Sequence, residues 1–144
     1  MTDGTDGYAT DFHRWAETQA GLLRLRSANA LDWDNLAEEI AALARNDQRD
    51  LASRIQTVLD HLIRLRASPA VDPRRGWERT LIVQRDGIHK LLADSPSLRP
   101  LVAGMIAAEL PTARRLALLS LVEHDETPAI DVVTLSFSEA EVLG

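Results

Sequence analysis

Three polar side chains, Asp47, Arg54 and His61, recur at intervals of seven residues in a segment free of glycine and proline. In a helix that spacing keeps all three within about 40° of one another. An arginine and a histidine on one helical face suit attack on a phosphodiester. The histidine would act as general acid–base, and the arginine would stabilise the charge that builds up at phosphorus. The same residues also suit a structural role, because buried polar groups must find partners. Asp47, Arg54 and His61, with Arg85 and Glu109 from later segments, then form a hydrogen-bond network that sets helix register. In either reading Arg54 and Arg85 are expected to meet carboxylates, with Glu39, Asp47 and Glu109 as candidates.

Other chemistries find less support. The Arg54–His61 separation fits the loose Arg-x(4–6)-His pattern of helical ribonucleases of toxin–antitoxin type, which makes RNA cleavage the enzymatic alternative. Carboxylate-bridged metal bundles place Glu-x-x-His pairs on two helices. This chain offers only Asp86-x-x-His89, with Asp86 off the apolar face, so neither a metal nor another cofactor is expected. The absence of cysteine excludes disulfides, thiolate catalysis and thiolate zinc sites. No Gly-x-Ser-x-Gly or glycine-rich phosphate loop is present, and adjacent Glu38 and Glu39 diverge on a helix.

The elements that must position these residues read as helices throughout. A polar leader (1–7) precedes a first helix capped by Thr10 or Asp11 and running to about Ser27. Its apolar face holds Tyr8, Phe12, Trp15, Leu22 and Leu23, with Gln19 among them. A second helix starts at Asp32 or Asp34 and continues to Arg66. It carries Leu36, Ile40, Leu43, Leu51, Ile55, Val58, Leu62 and Leu65 at helical spacing, and it is expected to bend near Asn46-Asp47. Pro69 and Pro73 close it off. A third helix spans Arg74 to Ala93, with Trp77, Leu81, Ile88, Leu91 and Leu92 on its face and Gly87 inside. Ser95 and Pro96 restart a fourth, which Pro111 should kink or divide. The tail after Glu126 reads as an extended segment docked on the bundle, followed by one helical turn. That turn has a Ser138–Glu141 capping box and a Phe137–Val142 staple. The fold class is therefore all-α: an antiparallel bundle of four main helices (8–126), the fourth kinked at a proline, with a docked tail (127–144).

Several strings together resemble a bacterial family of domains of unknown function, number twenty-nine in its series, known from cyanobacteria and proteobacteria. They are Tyr8-xx-Asp11-Phe12-xx-Trp15, Gln19-Ala20-x-Leu22-Leu23-Arg24, Leu31-Asp32-Trp33-x-Asn35-Leu36-Ala37-Glu38-Glu39-Ile40 and Trp77-xx-Thr80. Gln84-Arg85 and Leu91-Leu92-x-Asp94-Ser95-Pro96-Ser97-Leu98 complete the set. The resemblance covers roughly Tyr8 to Leu121 and implies an all-helical fold without implying an activity. Two departures stand out. His61-Leu62-Ile63-Arg64-Leu65 replaces a family string that carries Lys-Trp, and Leu110 stands where the family has tyrosine.

Length and charge bound the function. The chain has 144 residues, 45% hydrophobic and 26% charged, with a net charge of -6. That size suits one domain. The acidic balance argues against broad nucleic-acid binding, which needs a basic surface. The start lacks the basic and apolar pattern of a signal peptide, and no segment is apolar enough for a bilayer, so a cytoplasmic location is expected. A non-enzymatic interaction or assembly module is the leading expectation, its partner a second copy or another protein. Trp33, set between two aspartates, is expected to pack in the core, with partner binding as the alternative.

Overall fold

The computed structural model describes residues 7–144, without the side chain of Phe12. Nearly all of the expected leader lies outside the described residues. Among the described residues there are five α-helices: α1 (Phe12–Arg24), α2 (Trp33–Ala67), α3 (Arg74–Asp94), α4 (Val102–Glu123) and α5 (Glu139–Leu143). Short 3-10 turns lie at Ala28–Ala30, Pro96–Leu101 and Val132–Thr134, and no strand occurs among the described residues. The all-α expectation holds.

The chain divides into two compact units between Asn46 and Asp47, within α2. Helix α2 continues across that point as one hydrogen-bonded element. The division has a cause in sequence. Residues Arg45 to Asp50 are all polar and all exposed, so no apolar side chain there joins a core.

In the first unit, Asp11 caps α1 by accepting from the Arg14 N–H at 3.1 Å. The helix ends at Arg24, three residues earlier than expected. Arg26 takes a left-handed conformation (φ 55°), and Ser27 N–H then returns to the Leu22 carbonyl. This is the arrangement usually built on glycine, here without one. Asp32 occupies the position before α2 and accepts from the Asn35 N–H at 3.4 Å. Among the described residues of this unit, Trp15 and Leu31 are the buried apolar ones. Ile40 and Leu43, expected in the core, are each 65% exposed.

The second unit holds the main core. Leu51, Ile55, Val58, Leu59, Ile63 and Ala67 of α2 have no solvent exposure. Leu81 and Ile88 of α3 join them, with Leu98, Val102, Ile106, Ala113, Ala117 and Leu121 from the fourth segment. The fourth helix is kinked at Pro96, the first residue of the 3-10 turn that leads into α4 at Val102. Pro111 instead lies inside an unbroken α4. Pro96 and Pro100 remove two N–H donors within five residues, whereas Pro111 removes one, and Ala113 and Ala117 hold its helix to the core.

The tail completes this core with Val132, Leu135, Phe137 and Val142. Its extended stretch, broken by a 3-10 turn at Val132–Thr134, leads into the expected terminal helical turn. The Ser138–Glu141 capping box forms as expected. Glu141 also pairs with Arg66, whose guanidinium lies 4.7 Å from the Phe137 ring centre. Its carboxyl is held below the usual range, first by the Ser138 backbone N–H and then by Arg66.

Leu59, enclosed on all sides, tests this core. Leu59→Ala should cost about 3 kcal/mol in denaturant unfolding. A loss below about 1 kcal/mol would mean that the site is not packed as described.

Candidate functional site

The residues of the expected polar line are held by α2, and the structure separates them. Asp47 is exposed in the polar stretch at the unit boundary. Arg54 lies over α3: its Nη1 donates to Gln84 Oε1 at 3.2 Å, and its Nε stands 3.1 Å from Asp50 Oδ1, one turn earlier. That Nε–H is buried and not aimed at the carboxylate, so the contact is an ion pair without a hydrogen bond. The carboxylate partner is thus Asp50 rather than Glu39, Asp47 or Glu109. Asp50 wins because a residue four positions away shares the helix face at no cost in tertiary geometry.

Gly87 explains why Arg54 fits. A Cβ built there would stand 2.7 Å from Arg54 Cζ and 3.0 Å from Nε. The bare backbone of α3 leaves the slot that the guanidinium fills.

His61 lies against its own helix. Its Nδ1 donates to the Thr57 carbonyl at 2.9 Å, which requires the proton on that nitrogen. The same nitrogen is 3.9 Å from Asp60 Oδ2. Asp60 is 6% exposed and forms a bidentate pair with Arg64, both bonds 2.9 Å. Sequence reading passed over this pair, although the spacing of four between an aspartate and an arginine was available. Glu109 accepts from Gln56 Nε2 at 2.9 Å and meets no arginine.

Arg85 serves the tail. It donates from Nε to the Val142 carbonyl at 3.1 Å and from Nη2 to the Glu141 carbonyl. His89 Nε2 adds a bond to the Leu143 carbonyl at 2.9 Å, and Asp86 pairs with Lys90 instead of sharing a ligand with His89. The last carbonyls of a helix have no partners within it, and cations suit that end. Arg85 and His89 therefore finish α5, which is why Arg85 meets carbonyls in place of a carboxylate.

The first unit contains a second polar constellation. Buried Asp32 accepts from Trp15 Nε1 at 3.1 Å and from Asn35 Nδ2 at 2.8 Å. Its own N–H donates to Gln19 Oε1 at 3.0 Å. Tyr8 donates its hydroxyl to Glu39 and meets the Trp15 ring edge-on at 4.8 Å. These bonds tie α1 to the start of α2, and they employ residues from the strings quoted above. Trp33 is exposed rather than packed in the core, with Nε1 donating to the Ala28 carbonyl at 3.0 Å.

A third feature is a row of exposed apolar side chains. Leu116, Leu119 and Val122 lie on the outer side of α4, with Leu119 54% and Val122 69% exposed. By helix geometry they span about 120° of its circumference. The opposite side packs Ile106, Ala113, Ala117 and Leu121 into the core. Helix α4 therefore carries large apolar side chains on both sides, with Arg115 and Glu123 interspersed on the outer one. The signal was legible in sequence as too many apolar residues for one face.

Two measurements follow. Gly87→Ala should destabilise the wild type by about 1 kcal/mol but stabilise an Arg54→Ala variant by a similar amount, where only helix propensity remains. Equal effects in both backgrounds would remove Arg54 from that slot. Tyr8 is the single tyrosine, so tyrosinate absorbance reports it alone. Its hydrogen bond to Glu39, helped by desolvation, raises its pKa. The stabilisation is thus present below the ordinary tyrosine range and lost as pH rises through the folded value. Glu39→Gln should return the midpoint toward the ordinary value, and an unchanged midpoint would rule out the bond.

The family described as domain of unknown function DUF29 matches residues 8–136, most of the chain, leaving residues 1–7 and 137–144 outside. Neither a curated protein nor a solved structure matches. With the motif residues of the first unit bonded together, and the match running through both units, the chain belongs to the DUF29 family.

Proposed function

We propose that the protein is a cytoplasmic, non-enzymatic interaction module that binds a protein chain through the outer face of α4. The observation that carries this reading is the exposed row of Leu116, Leu119 and Val122 on a helix whose other side already packs into the core. Scattered exposed leucines are ordinary on any surface. Contiguous ones on a well-formed helix favour a partner that removes them from water. The exposed face of α4 continues toward the tail, where Leu118, Ile130 and Val133 line a shallow depression of about 350 Å³.

The polar groups support the same reading by being occupied in structural tasks. Arg54 and Gly87 seat α3 on α2, Arg85 finishes α5, and Asp32 caps α2. No helix of the described residues is long and apolar enough to cross a membrane.

Leu119→Glu tests the reading against a simple core role. On an outer face it should change stability by less than about 0.5 kcal/mol, and light scattering should find the wild type associating and the variant monomeric. A loss comparable to that of a core truncation would place Leu119 inside the fold and end the proposal.

A further inference from the structure

The charges beside the outer face of α4 identify its occupant. Arg115 and Glu123 each lie four residues from Leu119, one on either side, so both point within about 40° of it. They are about 12 Å apart along the helix, too far to pair within one chain. Both are exposed, and neither has an ion-pair partner among the described residues; Arg115 bonds only Thr112, at 3.1 Å. An antiparallel copy of α4 turned about a twofold axis at Leu119 reverses the order of residues. Arg115 of each chain then stands level with Glu123 of the other, and Leu116 stands level with Val122. The helix is complementary to itself in charge and in apolar pattern, as a twofold contact requires.

Building on the reading of α4 as an interaction surface, we propose that its occupant is a second copy of this chain. The two α4 helices cross antiparallel at Leu119 at about 50°, the angle that lays their i±4 rows alongside each other, with a reciprocal pair of Arg115–Glu123 ion pairs. Leucine and valine side chains supply the apolar burial, and the charges select the antiparallel register over a parallel one, which would set Arg115 against Arg115.

The absence of native cysteine makes a sharp test available. Under mild oxidation Leu119→Cys should give a covalent dimer, because the two thiols meet at the axis. Val122→Cys should not, because its copies are about 9 Å apart along the helices, beyond disulfide reach. In sedimentation equilibrium, Arg115→Glu and Glu123→Arg should each weaken the dimer about tenfold, and the double exchange should restore it. Equal crosslinking at both positions, or a double variant no better than the singles, would overturn the twofold geometry. If Leu119→Glu still abolished association, α4 would remain the interaction surface. A wild type that is monomeric at every concentration overturns the dimer outright. If it also bound no partner that Leu119→Glu releases, the interaction reading would fall with it.

Discussion

The burial of one side of α2 supports everything else in the second unit. From Leu51 to Ala67 its inward residues lose all contact with water. At roughly 25 cal/mol for each square ångström of apolar surface buried, that seam outweighs any single polar contact in the molecule. It also dictates how polar groups behave. Asp60 lies at the edge of the seam and must be compensated, and Arg64 does so from one turn away with two bonds. A buried carboxylate left without such a partner would be strongly destabilising.

The arginines show how a chain with one lysine uses guanidinium groups. Arg54 fills a glycine slot, Arg85 and Arg114 donate to tail carbonyls, and Arg66 covers Phe137 while pairing with Glu141. Arg85 uses the planar, many-donor head most fully, reaching two successive carbonyls from separate nitrogens. The tail is consequently attached by bonds from α2, α3 and α4 as well as by its buried apolar residues. Its helix is only five residues long, far too short to persist by itself in water. Docking therefore accounts for its existence.

Much of this architecture could be read directly. Capping residues, prolines and apolar spacing located every helix, and the capping box and staple of the tail were visible as Ser138, Glu141, Phe137 and Val142. Spacing was less informative about depth. Leu36, Ile40 and Leu43 continue the periodic pattern of Leu51 and Ile55, yet Ile40 and Leu43 stay exposed. Periodicity shows which side chains share a face. It does not show whether another element lies against that face.

The identities of the polar partners were equally out of reach. Arg54 and Arg85 have many carboxylates within plausible distance in sequence, and the choice depends on where backbones approach to a few ångströms. Local chemistry determined the helices, their starts and stops, and the need to satisfy Arg54, His61 and Arg85, because those follow from dihedral preferences and desolvation costs that act over a few residues. Tertiary packing alone decided that Gly87 admits Arg54, that Arg85 finishes α5, and that the outer leucines of α4 remain in water, because each depends on distances between segments far apart in the chain.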